Sequence, residues 1–96
     1  MPAVVWTPQA LVALDRHRQF LAETDSDFAI KAIQKIVEVG ESLQIYPQRC
    51  TIVTESPGLR KLMVKFGKVG FILHYTILND EVLILQIYHG RQQRPI

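Results

Sequence analysis

Hydrophobic positions recur along this chain with two different periods, and the change from one to the other divides it. "AVVW" at 3–6 is a β-branched and aromatic run that predicts a short strand. "TPQ" then predicts a helix start, with Thr7 as N-cap and Pro8 at the first helical position, where its missing N–H costs nothing. Ala10, Ala13, Leu14, His17, Phe20 and Leu21 follow at three- and four-residue steps and define one apolar helix face. "ETDSD" at 23–27 breaks the pattern and offers Asp25 or Ser26 as a second N-cap. From Phe28 to about Ile45 the residues Ala29, Ala32, Ile33, Ile36, Val39, Gly40 and Leu43 mark a second helix, stopped by Pro47. Gly40 weakens that helix by about 1 kcal/mol relative to alanine unless a neighbour packs closely against its backbone.

After the loop-like stretch "PQRCTIVTESPG" at 47–58, the period becomes 2. "LRKLMVKF" (59–66) sets Leu62, Val64 and Phe66 against Lys61, Met63 and Lys65. "GKVG" (67–70) is a turn, and "FILHYTIL" (71–78) sets Phe71, Leu73, Tyr75 and Ile77 against Ile72, His74, Thr76 and Leu78. Asn79–Asp80 is a two-residue hairpin signal. "EVLILQIYH" (81–89) closes the series, with Leu83, Leu85 and Ile87 on one side and Val82, Ile84, Gln86 and Tyr88 on the other.

The predicted fold is α+β, in the order β-α-α-β-β-β. Two helices joined by so few polar residues form a hairpin packed on one face of a small, mainly antiparallel sheet. Residues 1–96 make one domain. The helices leave the other sheet face to Lys61, Met63, Lys65, Ile72, His74 and Thr76. That half-apolar surface bordered by lysines suits an amphipathic partner segment.

Composition narrows the function. At 48% hydrophobic, 96 residues bury a core. Cys50 is the only cysteine, so no internal disulfide forms, and a reducing cytoplasm is the expected compartment. His17, His74 and His89 lack the spacing of a zinc site, so neither metal nor cofactor is expected. "MPAVVWTP" lacks the basic and apolar regions of a signal peptide, and no run reaches the length of a membrane span. Residues 1–41 carry four basic and six acidic side chains, and residues 42–96 carry seven basic and three acidic. A basic second half points to an anionic partner, either nucleic acid or an acidic protein segment. Trp6 is expected in the core.

The strand–Trp6–Thr7–Pro8–helix opening "VVWTPQALVAL" carries Ala10 and Leu14 on the first helix. With Leu43 and Pro47 ending the second helix, "LRKLMV", "HYTI" and "VLILQIYHGR", it resembles the RelE/ParE superfamily of bacterial toxins, and most closely the ParE branch. The resemblance spans nearly the whole chain and rests on the order of the segments, since most are packing positions. It implies a toxin of a type II toxin–antitoxin pair, neutralised by a ParD-like antitoxin whose C-terminal region wraps it in a hetero-oligomer. ParE-type relatives are associated with poisoning DNA gyrase, and RelE-type relatives are ribosome-dependent mRNA endoribonucleases. The lysine-bordered face at Lys61, Met63, Lys65, Ile72 and His74 is the expected antitoxin site. Arg60, Arg91 and Arg94 are the expected contacts to a cellular target.

Cleaving RNA through its 2′-OH requires a base, a cation on the phosphate and an acid for the leaving oxygen. The candidates are His89, Arg91, Arg60 and Tyr88. Adjacent strand residues point to opposite faces, so Tyr88 and His89 do not serve one site together. A non-enzymatic poison is therefore the leading expectation, with the ribonuclease second and a plain binding module third.

Overall fold

The structure is a computed structural model that describes residues 2–45, 47–48, 51–53 and 56–90, with the side chains of 51–53, 56 and 57 left out of the description. Cys50, Arg91 and Arg94 lie outside the described residues. The chain runs β1 (Ala3–Trp6), α1 (Pro8–Ala22), α2 (Ser26–Glu41), a 3-10 turn (Ser42–Gln44), β2 (Thr51–Val53), β3 (Ser56–Phe66), β4 (Val69–Leu78) and β5 (Glu81–His89).

Both helices start where the sequence places their caps. Thr7 Oγ1 accepts from Ala10 N at 3.3 Å, with Pro8 opening α1. The same hydroxyl donates to Ile84 O at 2.7 Å and so ties the helix start to β5. For α2 the cap is Asp25, whose carboxylate accepts from Phe28 N at 3.1 Å. The hairpin lies with α1 against β5 and α2 against β3, where Phe28 and Phe66 meet with ring centroids 5.1 Å apart.

The expected order holds, with one strand added. The sheet is ordered β1-β5-β4-β3-β2, with β1 parallel to β5 and every other pair antiparallel. The addition is β2, which falls inside the segment read as a loop, and β3 begins at Ser56 instead of 59. The proline and glycine around Thr51–Val53 hide a three-residue β-branched strand from any periodicity argument. Both hairpins use turns that match the strand twist. Asn79 and Asp80 have φ of 51° and 62°, the left-handed pair of a type I′ turn. Gly67 at φ 61° opens a two-residue Gly67–Lys68 turn, so β4 starts at Val69 and not at 71.

The core lies between hairpin and sheet, with Ala10, Ala13, Ala32, Ile36 and Leu43 from the helical side. Leu62, Val64, Phe71, Leu73, Tyr75, Val82, Ile84 and Ile87 come from the strands. Two positions depart from the pattern reading. Phe20, placed by its spacing on the core face of α1, is 63% exposed. In β5, Val82 and Ile84 are the buried residues while Leu83 and Leu85 are half-buried. The register explains the second departure: His74 pairs with Gln86 but Tyr75 pairs with Ile84, so Leu85 is an extra residue. This bulge switches the alternation between the two halves of the strand.

Candidate functional faces

The β4–β5 pairing fixes where the C-terminal cluster points. His89 pairs with Phe71 and Tyr88 pairs with Ile72, so the two side chains leave opposite faces of the sheet. On the helix side, Phe71 is flanked edge-on by two histidines, with centroids 5.5 Å from His17 and 5.6 Å from His89. His17 Nε2 lies 2.9 Å from Ile87 O. A carbonyl only accepts, so Nε2 carries the proton. Burial holds the His17 pKa below its ordinary value; the Ile87 bond opposes the shift, and nearby His89 and Arg16 add to it.

Thr7, His17 and Gln86 together finish one edge of the sheet. β1 pairs with β5 only as far as Ile84, beyond which the outer edge of β5 is bare of strands. Ile84 O accepts from Thr7 N at 3.1 Å, Ile87 O accepts from His17, and Ile87 N donates to Gln86 Oε1 at 3.2 Å. Side chains there do what a further strand would otherwise do.

Tyr88 stands on the other, open face, with its ring centroid 4.9 Å from that of His74. The residues read as one lysine-bordered surface separate by depth. Met63 is 54% exposed and Lys65 is exposed, whereas Lys61 is half-buried. Ile72 at 3% and His74 at 4% are buried, which corrects their expected exposure. β4 is the central strand, and the flanking long side chains of β3 and β5 stand on either side of them. Thr76 is engaged by its hydroxyl, which donates to Gly58 O at 2.6 Å.

Arg60 belongs to the helix side, because it pairs with Tyr75. Its Nη1 donates to Gln48 O at 3.1 Å, and the Tyr75 hydroxyl donates to Pro47 O at 2.6 Å. Both side chains hold the Pro47–Gln48 turn that follows α2. Arg60 and His89 pair with β4 residues four positions apart, which is roughly 13 Å along a strand. Among the described residues, then, Tyr88, His89 and Arg60 do not converge. Nor does any group of three His, Cys, Asp or Glu side chains among them gather to hold a metal ion.

One surface escaped the sequence reading. Pro8, Gln9, Val12, Ala13 and Arg16 of α1 line a shallow depression of about 310 Å³ with Gln86 of β5. Val12 is 58% exposed beside it. Exposed apolar residues at four-residue steps, Val12 and Phe20 with Arg16 between them, were the available signal. The spacing of Phe20 fits the core face of α1 equally well, which hides that signal.

A helical hairpin on one face of a five-stranded mixed sheet defines a small α+β domain. It is the architecture of the RelE/ParE toxins. The chain belongs to the ParE toxin family of the type II toxin–antitoxin system parDE, whose family model matches residues 4–94. It is 30% identical over 94 residues to Toxin RelE3 of Caulobacter vibrioides, covering 98% of this chain and all of that protein. Among solved structures it is similar to the chromosomal ParDE toxin–antitoxin system from P. aeruginosa. That match has 28% identity and a TM-score of 0.78, covering 93% of this chain and 96% of that one. The chain is thus the toxin component of a type II system, and its family defines an antitoxin partner. No helix among the described residues is long and apolar enough to cross a membrane.

Proposed function

We propose that this one-domain toxin arrests growth in the cytoplasm by binding a cellular target, with DNA gyrase the first candidate, and performs no chemistry of its own. The observation that carries this reading is the opposite orientation of Tyr88 and His89. Tyr88 packs on His74, while His89 packs on Phe71 beside His17. An acid–base pair acting on one phosphodiester needs both groups within reach of the same atoms. The gyrase assignment comes from the resemblance to ParE-type toxins, and basic Arg60, Arg91 and Arg94 are its candidate contacts.

The ParD-like antitoxin covers the open sheet face in this reading. Met63 and Lys65 supply the accessible contact, Lys61 its border, and Ile72 and His74 the floor beneath. An acidic amphipathic segment matches an apolar centre ringed by lysines.

The test is purified toxin against purified gyrase. Loss of supercoiling or accumulation of cleaved DNA, with ribosome-bound transcripts left intact, is the expected result. Full supercoiling at saturating toxin removes gyrase as the target. Transcript cleavage abolished by His89→Ala replaces the binding reading with the mRNA endoribonuclease.

A further inference from the structure

We infer that the open face of the sheet pairs with the same face of a second copy of this chain, strands reversed, in a two-fold dimer of the antitoxin-free toxin. The pairing does not depend on the cellular target. It uses the face proposed for the antitoxin, so the two partners compete.

A sheet with one solvated face carries polar residues at alternate positions on that side. Here the open side of β4 and β5 carries Ile72, Leu78, Leu83 and Tyr88. Leu78 is 56% exposed and, on β3, Met63 is 54% exposed. Strands apolar on both sides are the kind that are covered on both. Growth along the outer edge of β5 does not supply the cover, because Ile84 O, Ile87 O and Ile87 N are bonded to Thr7, His17 and Gln86. Association through the face does.

Charge selects the occupant and its direction. Lys65 and Lys68 lie at the start of β4, where Lys65 pairs with Gly70. Asp80 and Glu81 lie at its other end, where Glu81 pairs with Leu78. All four are exposed. A face with one cationic and one anionic end complements a reversed copy of itself. A two-fold axis across the strands at His74, midway between Gly70 and Leu78, gives that reversal, and sheets pack face to face with their strands so aligned. Leu78 of one protomer then stands over Gly70 of its partner, where no side chain fills the space. Tyr88 stands over the partner's Leu83. An axis along the strands would set lysine on lysine and acid on acid. An acidic segment of another chain would match the lysine end and be repelled by Asp80 and Glu81. Lys61, paired with His74, falls on the axis beside its own counterpart, and that repulsion limits the dimer.

The experiment follows the full-length toxin, separated from its antitoxin, by sedimentation velocity across a concentration series. A species of twice the chain mass is expected, and monomer throughout overturns the proposal. Leu78→Asp and Leu83→Asp should each weaken the dimer about tenfold or more with the circular dichroism spectrum unchanged. A dimer indifferent to both forms elsewhere, which also overturns it. Lys65→Glu should weaken the dimer, and adding Glu81→Lys to the same chain should restore it, since each reversed acid then meets a reversed base. Failure of that restoration overturns the reversed arrangement. Lys61→Gln separates the two partners of this face. It should tighten the dimer by removing the like pair, while weakening the complex with an acidic antitoxin; a loosened dimer overturns the pairing. If antitoxin affinity ignores Lys61→Gln and Lys65→Glu while the dimer responds to both as described, the antitoxin lies elsewhere and the pairing stands.

Discussion

The indole of Trp6 lies directly on the backbone of Gly40. A Cβ placed at Gly40 would come within 2.6 Å of the Trp6 six-membered ring and 3.2 Å of Ile84 Cδ1. Trp6 is half-buried and its Nε1 donates to Glu41 Oε1 at 2.9 Å, so the ring is fixed against the last turn of α2 from two sides. The helix accepts a weak former at this position because the first strand needs the space. Gly40→Ala gains about 1 kcal/mol in helix propensity but forces a clash that typically costs about 1–3 kcal/mol. We expect net destabilisation by urea unfolding, followed through the emission of the single tryptophan. In a Trp6→Leu background the same substitution becomes neutral or stabilising. Destabilisation of equal size in both backgrounds would show that the ring is not the obstacle.

His17 makes stability depend on pH. Its folded pKa lies below the ordinary 6.5 because the ring is buried, so the unfolded chain binds the proton more readily. Stability from this group is fully present above 6.5 and declines as pH falls toward the folded value, with a slope of at most about 1.4 kcal/mol per pH unit. Below the folded value both states are protonated and the decline stops. His17→Gln retains an N–H donor for Ile87 O but does not titrate. Thermal melts at pH 7 and pH 5 should separate more for the wild type than for this variant. Equal separations would remove His17 as the source.

The Asn79–Asp80 turn leaves room for improvement. Both residues have left-handed backbones, which cost less for asparagine and aspartate than for other side chains but least for glycine. Asp80→Gly completes the preferred Asn-Gly pair and should stabilise the β4–β5 hairpin by a few tenths to about 1 kcal/mol. Asp80→Val should destabilise it. A higher melting temperature for the valine variant would contradict the type I′ geometry.

These details mark how far the sequence could be read. Thr7–Pro8, Asp25, the period change at residue 59 and Asn79–Asp80 each carry a local chemical cause, and each element they delimit is present. Three features depend on neighbours distant in sequence. Leu85 shifts the register of β5, yet nothing in "VLILQ" distinguishes a bulge from regular alternation. Thr51–Val53 is too short to show a period and becomes a strand only by pairing with β3. Ile72 and His74 are buried on an open face because β4 is central, and sheet order is not written in a single strand. The chemical cluster at 88–91 was legible in one respect that mattered: alternation alone separates Tyr88 from His89, and the Phe71 and Ile72 pairings bear that out.

That separation yields the most direct functional prediction. Tyr88→Phe keeps the ring against His74 and removes only the hydroxyl, whereas His89→Gln removes an imidazole resting on Phe71. A general acid or base typically contributes about 10²–10⁴-fold to a rate, so either variant of an enzyme should lose growth arrest outright. For a toxin that acts by binding, both variants should arrest growth at close to the wild-type induction level when expressed without antitoxin. Arg91→Ala should shift the required level upward, as its proposed contact to the target demands. Loss of arrest in His89→Gln, in a protein that still melts cooperatively at the wild-type temperature, would put catalysis ahead of binding.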